Sequence, residues 1–186
     1  HLFLNGLYWG IYVVTERPDD AFMAQYFGGK KSNYDIIKGG ETVSGSNRIW
    51  RRLFALANQG LDDPERFKGI TNYIDLDSFI DFIILNHFIG NETWDFGNWY
   101  AARPNIDGAK FQFFCWDAET SMNRISENRV LTYNSNRPTA LFQALRKNET
   151  FRQEFVQRLR LHTTGDGHLT PHQNIRKRKL FPFGAI

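Results

Sequence analysis

The sequence has few of the residues that cross-link a protein or anchor it in a membrane. Its single cysteine, Cys115, excludes an internal disulfide framework and any zinc site built from several cysteines. This cysteine lies in the apolar run at residues 113–116, which favours a buried, structural thiol. No apolar run is long enough to span a bilayer. The net charge is only +3, and both signs are mixed along most of the chain, so no general polyanion-binding surface is indicated.

The basic excess that exists lies near the C-terminus, at residues 176–179 (RKRK). Such a run is typical of a solvated tail or helix face, and less often of a nucleic-acid or membrane patch. A nucleic-acid-binding function has this tail as its main support and is not favoured. The chain begins with His1 rather than Met, so we expect a fragment of a longer protein.

The pattern along the 186 residues predicts one α+β domain, or two small lobes that share a core. Asn5-Gly6 indicates a hairpin within the first fifteen residues. The segment SFIDFIILNHFI is apolar on nearly every side, which predicts a buried helix from Ser78 to about Phe88. Further strands are predicted at 34–38, 99–103 and 111–116, and further helices at 21–27, 48–58, 139–147 and 149–161.

The most informative segment lies between residues 91 and 117. A polar loop after the buried helix holds Asp95 and Asn98, and the following hairpin returns the chain to Asp117. Two carboxylates brought together in this way suit Mg²⁺, which prefers hard oxygen ligands. The alternative is structural, with Asp95 capping a turn and Asp117 capping a helix that starts at Ala118. Spacing by itself leaves both open.

Three ordered motifs resemble the CotH kinase family, the spore-coat protein H-like atypical kinases. They are LNGLYWGIYVVTERPDDAFMAQYFG, NETWDFGNWYAARP and KFQFFCWDAETSMN, and the resemblance runs from about Leu4 to Thr170. It implies an atypical protein-kinase-like α+β domain over residues 1–170. A small strand-rich N-terminal lobe would cover about 1–45 and a larger helical lobe about 46–170, with residues 171–186 as a basic tail.

The resemblance also implies roles for single residues. Asp95 looks like the catalytic-loop Asp that orients or deprotonates the acceptor hydroxyl, and Asn98 and Asp117 look like metal ligands. The implied cofactors are ATP with Mg²⁺ or Mn²⁺, and the implied partner is a protein with a Ser/Thr hydroxyl. A spore-coat, cell-surface or secreted location is implied in the same way.

The chain departs from the ordinary kinase pattern at two points. Asn98 follows Asp95 by three residues, whereas ordinary kinases place the Asn five after the Asp. Trp116-Asp117-Ala118 replaces Asp-Phe-Gly, which puts an activation-loop switch in doubt.

Other residues are expected to bind the phosphates of the nucleotide. Gly6 and Gly10 lie on a hairpin that can cover phosphates with backbone N–H groups. Lys38, with Glu16 as a possible ion-pair partner, is the first candidate for neutralising their charge. The alternatives are a pair of surface charges or the three arginines of one predicted helix, Arg48, Arg51 and Arg52.

The remaining candidates are weaker. His87 on the buried helix is expected to be a core histidine, and a metal site at His162, His168 and His172 is not favoured. Asn91 and Asn148 begin sequences that match the glycosylation sequon, a pattern that chance often produces. The alternative to an enzyme is a non-catalytic, kinase-like surface or coat module that serves binding or assembly.

Overall fold

The computed structural model describes residues 1–12, 15–124, 126 and 128–171. The basic run at residues 176–179, and all of the expected tail from residue 172 on, lies outside this part of the chain. Within it, six helices and two small antiparallel sheets confirm the α+β prediction. The arrangement as two kinase-like lobes stays a prediction.

Helices and strands are segregated along much of the chain rather than alternating. The strands are β1 (Leu2–Leu4), β2 (Leu7–Gly10), β3 (Tyr34–Lys38), β4 (Glu41–Ser44), β5 (Trp99–Pro104) and β6 (Gln112–Cys115). The helices are α1 (Asp20–Phe27), α2 (Arg48–Ala57), α3 (Pro64–Ile70), α4 (Leu76–Phe88), α5 (Pro138–Leu145) and α6 (Glu149–Thr163).

A four-stranded sheet in the order β4-β3-β5-β6 forms the centre of the molecule. The hairpin of β5 and β6 is confirmed, with Trp99 opposite Cys115. Strand β3 pairs with β5 and places Lys38 opposite Tyr100. This pairing crosses the boundary expected near residue 45, so a single sheet takes strands from both of the proposed lobes.

The two inner strands of the central sheet, β3 and β5, are buried on both faces. Ile37 points into a large core shared with helices α2 to α6, whereas its neighbour Ile36 packs with Met23 of α1 on the opposite face. Neither isoleucine has measurable exposure, as expected for adjacent residues of a strand covered on both sides. The sheet thus holds β5 and β6 rigidly, and the candidate site lies where these two strands meet their loops.

Helix α4 is the central helix of the core. Its N-cap is Asp75, whose carboxylate accepts a hydrogen bond from the backbone N–H of Ser78, so the helix begins two residues before the predicted start. Ile80 and Ile83 are fully buried, whereas Phe88 is exposed, so one side of this apolar helix reaches the surface. No helix in the described part of the chain combines the length and apolar character needed to cross a membrane.

The predicted N-terminal hairpin is also confirmed. Asn5 and Gly6 both have positive φ angles, 50° and 80°, as the favoured two-residue hairpin turns require. The hairpin of β1 and β2 forms its own two-stranded sheet, separate from the central one.

A buried ion pair fastens the central sheet to two loops. Nη1 of Arg103 lies 2.7 Å from Oδ2 of Asp35, and both side chains are almost completely buried. The other oxygen of Asp35 accepts a hydrogen bond from the backbone N–H of Ser46, just before α2. Arg103 also donates to the carbonyl oxygens of Ile106 and Ala109 in the β5–β6 turn. One pair therefore orients the start of α2 and this turn together.

The predicted core histidine, His87, lies mostly buried on α4 with Trp94 and Phe142 against its ring. Burial, with a smaller contribution from the positive charge of Arg146, lowers its pKa from 6.5 to about 4. The unfolded chain therefore takes up a proton on this residue before the folded protein does. We expect the folded state to lose about 3 kcal/mol of stability as the pH falls from 6.5 to 4.

Urea unfolding measured at several pH values tests this expectation. The variant His87→Gln should lack this part of the pH dependence, because glutamine does not titrate. His162→Gln should retain it and serves as the matched control. Parallel stability–pH curves for the wild type and His87→Gln would contradict the assignment.

Candidate functional site

Asn98 and Asp117 lie side by side where β5 begins and β6 ends. Nδ2 of Asn98 donates to the backbone carbonyl of Asp117 at 2.9 Å and to Oγ1 of Thr93 at 3.0 Å. Both amide hydrogens are used, which turns the amide oxygen of Asn98 away from these partners. In the described residues no donor engages that oxygen or the exposed carboxylate of Asp117. One carboxylate and one amide oxygen are hard ligands of the type that Mg²⁺ prefers.

Asp117 has an unusual backbone conformation, with a φ angle of 52°. No helix begins at Ala118, so the capping role that the sequence left open for Asp117 is wrong. Aspartate and asparagine tolerate this left-handed region better than most residues, because their short side chains bond locally. The turn directs the chain away from the sheet and leaves Asp117 exposed beside Asn98.

A polar network lies beneath this pair. Oγ1 of Thr93 is 2.8 Å from Oγ1 of Thr120, and the buried side chain of Asn91 accepts hydrogen bonds from both Thr93 and Thr120. Asn91 in turn donates to Asn86 of α4. The network fixes the loop after α4 to the segment after Asp117, so the positions of Asn98 and Asp117 are preorganised.

Asp95 is oriented differently from the other two predicted site residues. Its carboxylate accepts hydrogen bonds from the backbone N–H and the hydroxyl of Thr139, at 3.1 and 2.7 Å, and from Nδ2 of Asn134 at 2.6 Å. The residue is 3% exposed. Burial raises the pKa of this carboxyl group, although the hydrogen bonds from Thr139 and Asn134 oppose the rise. In this conformation Asp95 holds the first turn of α5, and its role as a base stays a prediction.

Two cations lie over the aromatic side chains next to Asp117. Nζ of Lys38 is 5.7 Å from the ring centre of Tyr100, and the guanidinium of Arg17 is 5.7 Å from that of Trp116. The two rings meet edge to face at 5.9 Å. The predicted cation Lys38 is therefore joined by a second, Arg17, close to the end of β6. Together they provide positive charge over two rings, one of which belongs to the residue before Asp117.

No hydrogen bond or ion pair among the described residues joins the other predicted phosphate-binding residues to this cluster. Glu16 accepts a hydrogen bond from the hydroxyl of Tyr26, and no ion pair joins it to Lys38 within the described residues. That hydrogen bond raises the pKa of the Tyr26 hydroxyl. Gly6 forms the turn of the N-terminal hairpin, and Gly10 ends β2 with a φ angle of 128°. Their role in covering phosphates stays a prediction.

Among the described residues, no group of three or more His, Cys, Asp or Glu side chains is arranged to hold a metal. His162 lies 2.8 Å from Asp81, and His172 lies outside the described residues. Burial raises the pKa of the Cys115 thiol to about 11, in agreement with a structural role. Both sequon asparagines are buried, and Asn148 caps α6, which argues against glycosylation in the folded protein.

Sequence reasoning missed Thr93 and Arg17. A signal for Thr93 was present, because ordinary kinases place the catalytic Asp five residues before the metal-binding Asn. Five residues before Asn98 is Thr93, and the structure shows these two side chains in contact. Nothing in the sequence singled out Arg17, since its position over Trp116 depends on how the chain folds.

Comparison with protein families agrees with the motifs. A model described as CotH kinase protein matches residues 1–176 of the 186. Comparisons with curated proteins and with solved structures give no significant match. A match over nearly the whole chain includes the loop of Asn98, the strand that leads to Asp117 and the N-terminal hairpin, and it suggests a kinase-like function. The chain belongs to the CotH kinase family.

Proposed function

We propose that this protein is an ATP- and divalent-metal-dependent phosphotransferase that acts on a Ser/Thr hydroxyl of a protein. The observation that carries the proposal is the hydrogen bond from Asn98 to the backbone of Asp117, which holds an amide oxygen and an exposed carboxylate on neighbouring residues. Lys38 lies over Tyr100, and Arg17 lies over Trp116, the residue before Asp117. Mg²⁺ characteristically takes one or two protein oxygens and completes its shell with substrate phosphates and water. Two protein ligands therefore suit a metal ion that binds together with the nucleotide better than one that stays permanently bound.

The residues divide into two groups in this proposal. Asp117 and the amide oxygen of Asn98 would hold Mg²⁺ or Mn²⁺, which supplies charge neutralisation at the β- and γ-phosphates. Lys38 and Arg17 would neutralise further phosphate charge, and the aromatic pair beneath them keeps both cations at this edge. The Thr93 network would hold the ligands still as negative charge moves during phosphoryl transfer.

Asp95 is the proposed group on the acceptor side. Its carboxylate is almost completely buried and accepts hydrogen bonds from Thr139 and Asn134, so an incoming hydroxyl can reach it only if it leaves these partners. Such a change would free the first turn of α5. Phosphoryl transfer through a loose transition state depends chiefly on positioning and on charge stabilisation, so a weakly placed base lowers the rate without preventing the reaction.

The same geometry favours a second candidate, a kinase-like module that binds nucleotide without turnover. The position five residues before Asn98 holds a threonine, whose hydroxyl is too weak a base to substitute for a carboxylate. The carboxylate of the predicted base, Asp95, is engaged with α5. In this alternative the protein would serve binding or assembly and keep the metal–nucleotide site for stability.

One experiment separates the two candidates. Thermal unfolding is followed with ATP alone, Mg²⁺ alone and both together, and transfer of labelled γ-phosphate to a protein acceptor is measured on the same sample. A ligand at 100 times its Kd stabilises a folded protein by about 2.7 kcal/mol. Stabilisation specific to the combination, together with transfer, is the expected result. Stabilisation without transfer would favour the binding module, and neither effect would contradict both.

A further inference from the structure

A second polar cavity lies at the opposite end of the central sheet. It has a volume of about 380 Å³ and lies between the start of α2, the residues after α3 and the β5–β6 turn. Asn98 precedes β5, whereas this cavity lies at its Pro104 end. Six residue steps along the strand, from Asn98 to Pro104, separate the two by roughly 20 Å. The cavity is therefore distinct from the proposed metal and nucleotide site.

The lining of this cavity is strongly basic. Three arginines line it, Arg48, Arg52 and Arg103, together with Asn72 and Asn105. Its one lining carboxylate belongs to Asp107. Because Asp35 neutralises Arg103, the two arginines of α2 leave a positive excess in the cavity.

Arg48 and Arg52 are four residues apart on α2 and so project from the same face of the helix. The guanidinium of Arg52 lies 5.8 Å from the ring centre of Tyr73, which restricts where it can point. Across the described residues, no carboxylate pairs with either arginine. The two guanidinium groups carry up to ten N–H donors between them, and Asp107 is the single carboxylate that lines the same cavity.

Hydrogen bonds from buried side chains hold two walls of the cavity in place. Arg103 is 5% exposed and holds the β5–β6 turn through the carbonyl oxygens of Ile106 and Ala109. Its partner Asp35 fixes Ser46, two residues before Arg48. A single buried ion pair thus sets the distance between the arginines of α2 and the opposing turn. A ligand would meet a preorganised site, which lowers the entropy lost on binding.

We propose that this cavity binds a phosphate group, either free or carried as a phosphate monoester on a peptide. A tetrahedral dianion has enough acceptor oxygens for both guanidinium groups and the flanking amides, whereas a single carboxylate has two. The proposal does not depend on the metal and nucleotide site.

An NMR titration of ¹⁵N-labelled protein with inorganic phosphate tests the proposal at fixed ionic strength, with chloride as the reference anion. We expect saturable shifts at the backbone amides of Arg48, Asn72 and Gly108. The double variant Arg48→Gln/Arg52→Gln should weaken the apparent affinity at least about tenfold. Arg51→Gln is the matched control for Arg48→Gln, because each removes one positive charge from the same helix and Arg51 lies outside this cavity.

Further titrations identify which phosphate compound binds. They also test whether binding is independent of the proposed metal and nucleotide site. Tighter binding of O-phosphoserine than of phosphate indicates a monoester, and equal binding indicates free phosphate; acetate should bind much more weakly than either. Asp117→Asn should leave the titration unchanged. Shifts that do not saturate, or an equal loss of binding in Arg51→Gln and Arg48→Gln, would overturn the proposal. If the double variant fails to fold, Arg48→Gln by itself must weaken binding, and no weakening would count against the site.

Discussion

Asp117→Asn is expected to reduce the rate of phosphoryl transfer on the order of a thousandfold at saturating Mg²⁺. A catalytic metal supplies several kcal/mol of charge stabilisation, and each 1.4 kcal/mol corresponds to a factor of ten. Asparagine is the sharper substitution here than alanine, because it keeps the size of the side chain and tolerates the φ angle of 52°. The change therefore removes one negative charge and little else.

Single-turnover transfer from ATP provides the measurement, with Glu119→Gln as the matched control. Glu119 is exposed two residues away and loses the same charge in that variant, so its rate should stay close to that of the wild type. Asn98→Ala should lower the rate by about tenfold, because a neutral amide is the weaker ligand. A loss in Asn98→Ala as large as that in Asp117→Asn would refute this ranking. Unchanged rates in both would place the metal elsewhere.

Arg103→Ala is expected to lower the free energy of unfolding by about 3–5 kcal/mol. The substitution leaves the carboxylate of Asp35 buried without its counter-charge. It also removes the donors that hold the carbonyl oxygens of Ile106 and Ala109. A loss of this size is a large fraction of the 5–15 kcal/mol that stabilises a typical domain.

Urea unfolding of Arg103→Ala should be compared with that of Arg152→Ala. Arg152 forms an ion pair with Glu149 at the surface, where such pairs contribute about 0–1 kcal/mol. The double variant Asp35→Ala/Arg103→Ala should be more stable than the sum of the two single losses predicts, because no unpaired charge remains. Similar small losses in Arg103→Ala and Arg152→Ala would show that water reaches the pair.

Local signals in the sequence were sufficient for much of the secondary structure. The Asn5-Gly6 hairpin, the buried helix and the strand pair before Asp117 are all confirmed, because turn residues and hydrophobic period act over a few neighbours. Helix α3 was missed because it has only seven residues and one of them, Gly69, has a low helix propensity. The pairing of β3 with β5 was also missed, since no local pattern specifies a partner more than sixty residues away.

The candidate site also shows that a local sequence pattern does not specify contacts between distant residues. The sequence predicted a hairpin that returns Asp117 to the loop of Asn98, and the structure shows the Asn98 side chain bonded to the backbone of Asp117. They could not indicate that the carboxylate of Asp95 points to Thr139, because that residue arrives from a helix 44 positions later. A carboxylate in a polar loop looks the same in sequence whether it faces substrate or caps a helix. Orientation is a tertiary property, and this is why the acceptor-side role of Asp95 needs experiment.

The buried pair of Asp35 and Arg103 also has a consequence for the order of folding. The two residues are 68 positions apart, so they meet only after a long loop has closed and its entropy has been lost. Contacts of such separation usually form after the folding nucleus, which favours local contacts. We therefore expect substitutions at this pair to accelerate unfolding while leaving the refolding rate nearly unchanged. The pair would then form late in folding, and its loss would shorten the lifetime of the folded state by raising the unfolding rate.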